Sequence, residues 1–101
     1  MNIEHALIAQ IISKLSPATV TVIETYAKPW ASVTFSGARH EIALLVEGSE
    51  ALHVSEGLKA TMKCEEFDIK GHLVADILIN HLSADQFGVR LDIEALTVML
   101  D

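Results

Sequence analysis

The chain has 101 residues, half of them apolar, and fourteen acidic against seven basic residues give a formal net charge of −7. Nucleic acids and anionic membrane surfaces are held by clustered Lys and Arg. Here the seven basic residues are scattered, so neither is an expected partner. No apolar run reaches the roughly 18 residues of a membrane span.

The length predicts a single domain over residues 1–101. Cys64 is the only cysteine, so no internal disulfide can form, and the first residues lack the basic start of a secretory signal. Both features predict a protein of the reducing cytoplasm. The mean hydropathy of +0.37 is high for a soluble chain, which predicts apolar surface that a second copy covers.

The first predicted element is an amphipathic helix over residues 3–15. Its apolar stripe recurs every four residues and is broadened by two isoleucines: Ile3, Leu7, Ile8, Ile11, Ile12 and Leu15. Asn2 is a suitable cap for its start. Pro17 ends it, because the residue before a proline is steered away from helical torsions.

A run rich in β-branched residues predicts a strand over residues 19–26. Lys28-Pro29 interrupts it, since proline donates no ladder hydrogen bond and belongs in a turn or at a sheet edge. From Trp30 to Val46 the apolar positions change parity around Ser36-Gly37. This change favours one long strand over 30–46 with a β-bulge at Gly37. A tight turn at Ser36-Gly37, making two strands, is the alternative.

After a break at Gly48, Ser49 is predicted to cap a second helix with the apolar stripe Ala51, Val54, Leu58 and Met62. The remaining chain alternates between apolar and other residues over 67–82 and again over 87–100, with a turn at 83–86. A period of two is typical of half-buried strands, so these runs predict a long antiparallel hairpin.

The predicted order is helix, strand, strand, helix, strand, strand. It equals the split βαβ order with its first strand moved to the C-terminus. We therefore expect an α+β fold, a circularly permuted ferredoxin-like sandwich in which one twisted antiparallel sheet carries both helices on one face. From one edge the four strands would run 67–82, 87–100, 30–46 and 20–27; a fifth strand arises only if Ser36-Gly37 is a turn.

Five large apolar side chains of the hairpin are expected on the sheet face that no helix covers: Val74, Leu78, Leu96, Val98 and Leu100. Large exposed apolar patches are rare in monomers, so this pattern favours a homodimer through that face. A partly exposed sheet face is the alternative, since apolar atoms supply much of any protein surface. No strong catalytic constellation accompanies the pattern, and we expect a non-catalytic interaction module without a cofactor.

A divalent-ion or acid–base site is a weaker hypothesis. His72, Asp76 and Glu94 share the outward parity of the hairpin, and carboxylates set directly opposite each other would need a cation or a proton between them. The simpler interpretation is a solvated face with Lys70 and Arg90 as neighbours, because hard cations need about six oxygen ligands.

A pocket for a small anionic ligand is a second weaker hypothesis. Arg39 and His40 follow the predicted bulge, and with Trp30 they could line such a site, because the planar guanidinium binds carboxylate and phosphate. A surface ion pair between Arg39 and Glu41 is the simpler interpretation. A protein partner pairing with the edge strand at 18–27 is a further alternative.

Overall fold

The computed structural model describes residues 2–100. Its elements are α1 (Ile3–Ser13), β1 (Thr19–Ala31), β2 (Ser36–Glu47), α2 (Ala51–Thr61), a 3₁₀ turn (Met62–Cys64), β3 (His72–Asp85) and β4 (Gly88–Met99). The strands form one antiparallel sheet in the order β1-β2-β4-β3. The α+β fold and the strand order predicted from the sequence are confirmed.

Helix α1 starts at the predicted cap, where Asn2 Oδ1 accepts a hydrogen bond from the His5 amide at 3.0 Å. It ends at Ser13 rather than at Leu15. Leu15 is nevertheless fully buried in the turn that follows. The apolar stripe therefore predicted the core contacts of this segment even beyond the last helical residue.

Helix α2 lacks the predicted cap. Glu50, not Ser49, precedes its first residue, and no side chain makes a capping hydrogen bond. The predicted apolar stripe is confirmed, since Ala51, Leu58 and Met62 are buried and Val54 packs against the same core.

Both helices pack on one face of the sheet. Leu7 and Ile11 of α1 and Leu58 of α2 share one buried cluster with alternate residues of three strands: Ile42, Leu44, Val46, Ile77, Ile79, Val89, Leu91 and Ile93. Because side chains alternate along a strand, the residues between these point to the opposite side of the sheet. We call that side the bare face, since neither helix packs on it.

The chain reverses between β1 and β2 at residues 32–35. The Ser32 amide donates to the Phe35 carbonyl at 2.7 Å, and the Ser32 hydroxyl accepts from the Phe35 amide at 3.1 Å. Strand β1 continues through Pro29, which an edge strand tolerates. The bulge and the turn considered for Ser36-Gly37 are therefore both wrong.

The C-terminal hairpin turns at Gln86-Phe87, and β3 begins at His72 instead of Phe67. Two β-bulges in β3, at Ala75 and Asn80, interrupt its pairing with β4. A bulge moves every later side chain to the other face. The predicted alternation over 67–82 is therefore broken twice, and which residues reach the bare face changes.

Exposed apolar side chains gather at the end of the sheet that carries the 32–35 loop, which we call the tip. They are Val33, Phe35, Leu73, Met99 and Leu100. The molecule measures 47 × 24 × 21 Å. Its Cα radius of gyration is 13.7 Å, against about 12.7 Å for a compact domain of this length. Within residues 2–100, no helix has the length and apolar character needed to cross a membrane.

Candidate interaction surface

The register of the sheet arranges the bare-face side chains in rows that cross all four strands. We number the rows from the tip and give the residues of each row in the sheet order β1, β2, β4, β3. Row 1 is Trp30, Gly37, Val98 and Leu73; row 2 is Lys28, Arg39, Leu96 and Asp76; row 3 is Tyr26, Glu41, Glu94 and Leu78; row 4 is Glu24, Ala43, Asp92 and His81. Neighbouring rows are two residues apart along each strand, or about 6.8 Å.

The part of the bare face nearest the tip is apolar. In row 1, Trp30 and Val98 are half-buried and Leu73 is 53% exposed. Leu100 continues the outward parity of β4, and its amide donates to the Gly71 carbonyl at 2.8 Å. The indole Nε1 of Trp30 is buried without a hydrogen-bond partner among the described residues. Row 1 is thus an apolar strip on which neither helix packs.

Rows 2 and 3 set like charges directly opposite each other, Lys28 beside Arg39 and Glu41 beside Glu94. Such pairs are destabilising within an isolated sheet. The ion pairs of residues 2–100 join Lys14 to Glu65, and Arg90 to Glu24 and Asp92. The charges of rows 2 and 3 take part in none of them, so all are open to charges from outside the chain.

A depression of about 240 Å³ lies over rows 3 and 4, with the small side chain of Ala43 near its centre. At the side of the depression away from the tip, Arg90 Nη2 lies 3.1 Å from Asp92 Oδ1 and 3.7 Å from Glu24 Oε1. The hydrogen bonds to Asp92 raise the pKa of Arg90. Glu41 and Glu94 line the side of the depression nearer the tip. The depression is therefore polar and acidic, in contrast to row 1.

Four of the five residues predicted for the oligomer interface lie on the bare face: Leu78, Leu96, Val98 and Leu100. Val74 does not. It pairs with Thr97 and packs against the helix-side core, because the bulge at Ala75 reverses the parity of β3. Leu73 takes its place on the bare face. Sequence reasoning missed Leu73, since a bulge leaves no apolar or polar signal in the sequence.

The three residues of the metal hypothesis are divided between the two faces. His72 lies opposite Met99 on the helix side, whereas Asp76 and Glu94 lie on the bare face. Asp76 pairs with Leu96, and Leu78 is the residue opposite Glu94. Across residues 2–100, no group of three or more His, Cys, Asp or Glu side chains could hold a metal ion. The expectation that His72 shares a face with the two carboxylates is wrong.

The three residues of the anion hypothesis are divided in the same way. Trp30 and Arg39 lie on the bare face, one row apart on adjacent strands, while His40 points into the core and is 1% exposed. Adjacent residues of a strand point to opposite faces, so Arg39 and His40 cannot converge on one ligand. Trp30 and Arg39 instead belong to rows 1 and 2 of the bare face.

Comparisons with protein-family models, with curated proteins and with solved structures find no match to this chain.

Proposed function

We propose that this protein is a non-catalytic interaction module that forms a homodimer through the bare faces of two copies. The observation that carries the proposal is row 1, where Trp30, Val98 and Leu73 form a strip under no helix. Burying one large aliphatic side chain stabilises a complex by about 1.5–3 kcal/mol. In a homodimer each copy covers the apolar strip of the other.

The surface area of one copy supports this proposal. The chain exposes 6329 Å², whereas a compact monomer of its mass, 11.0 kDa, is expected to expose about 5,600 Å². One copy therefore leaves more surface exposed than a compact monomer of its mass, in keeping with apolar surface that a second copy covers.

The charges of the bare face favour a second copy over a partner of one charge sign. Lys28 and Arg39 in row 2 lie next to Glu41 and Glu94 in row 3. A strongly acidic or strongly basic partner would be repelled by one of these rows. Row 2 carries both signs itself, since Asp76 lies on β3 at the opposite edge from Lys28, so a second copy can set opposite charges against each other. Two sheets pack face to face with interdigitating side chains.

Sedimentation equilibrium of the full chain tests the proposal. We expect a dimer at micromolar concentrations and a monomer for Leu73→Glu, which places a charge in the apolar strip. The matched control is Leu52→Glu on α2, because Leu52 is 46% exposed but lies on the helix side of the sheet. This control is expected to remain dimeric.

A monomeric wild-type chain at these concentrations would overturn the proposal, as would a Leu73→Glu variant that dimerises as tightly as the wild type. Far-ultraviolet circular dichroism of each variant shows that the fold is retained. The location in a reducing cytoplasm stays a prediction that rests on the single cysteine.

A further inference from the structure

We infer that the two copies are related by a two-fold axis that runs along the strands, between β2 and β4, so that each row of the bare face meets the same row of the partner. This inference rests on the proposed homodimer and specifies its geometry. It predicts an ion pair, repeated by symmetry at the two edges of the interface, between Lys28 of one copy and Asp76 of the other.

The geometry follows from the strand order β1-β2-β4-β3. A two-fold axis along the middle of this order exchanges β1 with β3 and β2 with β4 while keeping the rows level. In row 1 it brings Trp30 onto the partner's Leu73. Row 1 also contains Gly37, which has no side chain, and the axis brings the partner's Val98 over it. Apolar groups therefore meet apolar groups, and the larger side chains have room.

Opposite charges meet at the two ends of row 2 under the same operation, whereas in the middle of the row Arg39 is brought onto the partner's Leu96. Lys28 on β1 is brought onto the partner's Asp76, and both side chains are exposed and free of ion pairs within residues 2–100. Within one copy they lie on opposite edge strands, three strand spacings or about 14 Å apart. They are too far apart to pair inside one chain, so only a second copy brings them together.

The polar rows also tolerate this arrangement. In row 3, Tyr26 is brought onto the partner's Leu78, and in row 4 Glu24 is brought onto the partner's His81. Glu41 meets the partner's Glu94, but both line the depression of about 240 Å³, which leaves room for water between the sheets. Ordered water commonly separates polar groups in interfaces.

The competing geometry places the two-fold axis across the strands, between rows 2 and 3. It would bring Trp30 onto the partner's Glu24 and Val98 onto the partner's Asp92. Leu73 would be brought onto the partner's His81, so the apolar strip would gain no apolar cover, although Arg39 would be brought onto the partner's Glu41. Because only the axis along the strands covers the apolar side chains of row 1 with apolar side chains, that arrangement is preferred.

A charge-exchange experiment tests the inference. Lys28→Asp sets aspartate against aspartate twice in the symmetric interface, and Asp76→Lys sets lysine against lysine twice. We expect each variant alone to dimerise at least about tenfold more weakly than the wild type. An equimolar mixture of the two is expected to form a heterodimer, and the double variant K28D/D76K to recover the homodimer, since in both cases every opposed pair again has opposite signs.

The control exchanges charges on the helix side of the sheet. Lys63 and Glu66 are exposed on the segment after α2, and Lys63→Asp and Glu66→Lys are expected to leave the dimer unchanged. Native mass spectrometry distinguishes homodimers from the heterodimer, and circular dichroism confirms that each variant is folded.

The outcomes separate the two proposals. A wild-type chain that stays monomeric overturns the homodimer itself. If the wild type dimerises and both single variants dimerise equally well, the axis along the strands is wrong. The same holds if the single variants weaken the dimer but neither the mixture nor the double variant restores it. Both results leave dimerisation through the bare face standing.

Discussion

His40 Nε2 lies 2.9 Å from Thr97 Oγ1, and this hydrogen bond joins β2 to β4 on the helix side, directly beneath rows 1 and 2 of the bare face. The Thr97 hydroxyl also lies 3.3 Å from the Ala38 carbonyl and donates to it. The hydroxyl oxygen therefore accepts from His40 Nε2–H. The remaining ring nitrogen, Nδ1, is buried without a partner among the described residues.

This arrangement predicts a loss of stability in mild acid. Burial lowers the pKa of His40 below its usual value of 6.5, and the charge of nearby Glu4 only partly opposes this effect. Below pH 6.5 the unfolded chain binds a proton at this site that the folded chain does not, so the free energy of unfolding falls as the pH falls. Above that value the contribution is complete and constant.

Urea unfolding between about pH 7.5 and about pH 5 measures the effect, which cannot exceed about 1.4 kcal/mol per pH unit for one group. The control is His40→Gln, which keeps a hydrogen-bonding side chain but cannot titrate. This variant is expected to be less stable than the wild type at pH 7.5 and to show a smaller slope. Equal slopes for both proteins would show that His40 does not cause the acid sensitivity.

The second prediction compares alanine substitutions at Gly37 and Gly57, which are expected to change the free energy of unfolding in opposite directions. A Cβ at Gly37 would overlap the Thr97 carbonyl oxygen and lie 2.8 Å from the Thr97 carbonyl carbon. Both are backbone atoms of β4, so Gly37→Ala must push the two strands apart. We expect it to lower the free energy of unfolding by about 1–3 kcal/mol.

Gly57 supplies the matched control. It lies inside α2, and a Cβ there would meet nothing within 4 Å. Gly57→Ala is therefore expected to raise the free energy of unfolding by up to about 1 kcal/mol, because alanine favours a helix interior over glycine. Urea unfolding of both variants checks the two signs, and a Gly37→Ala variant as stable as the wild type would contradict the close strand approach.

The role of Gly37 also explains a limit of the sequence. A glycine between two apolar runs favours a bulge or a turn, and it gives the same signal when it permits close packing against another strand. The atoms that exclude a side chain at Gly37 belong to Thr97, sixty residues later in the chain. Only the folded sheet reveals that contact.

The two helices and the strand order could be predicted because their evidence lies within each segment or in the order of segments. The composition of the bare face could be predicted only in part. Leu78, Leu96 and Val98 follow the simple alternation, whereas Leu73 and Val74 exchange faces at the bulge at Ala75. A bulge depends on how β3 fits its neighbour β4, and the residues of β3 alone do not record it.

Gln10 provides a third prediction, which concerns the segment that leads into β3. Its Nε2 donates to the Asp68 carbonyl at 2.6 Å, and its Oε1 accepts from the Asp68 amide at 3.0 Å. One side chain of α1 thus satisfies both backbone groups of a residue outside any strand. Gln10→Glu removes the donor and sets a carboxylate against the carbonyl oxygen, and we expect a loss of about 1–2 kcal/mol.

Hydrogen exchange measures this change locally. The Asp68 amide is expected to exchange faster in Gln10→Glu, while amides in the centre of β4 change only with global stability. Ser13→Ala is the control, because its hydroxyl bonds only to the Gln10 carbonyl within α1 and does not reach Asp68. Unchanged protection of Asp68 in Gln10→Glu would show that other contacts hold this segment.

Trp30 gives the last prediction, because it is the single tryptophan of the chain and lies in row 1 of the bare face. In the proposed dimer its indole is covered by the second copy, and on dissociation it becomes more exposed to water. Dilution of the wild type should therefore shift the emission maximum to longer wavelength, over the concentration range in which sedimentation shows dissociation. Leu73→Glu should give the long-wavelength spectrum at every concentration, and Leu52→Glu should follow the wild type. A dimer whose tryptophan emission does not change on dissociation would place the interface away from row 1.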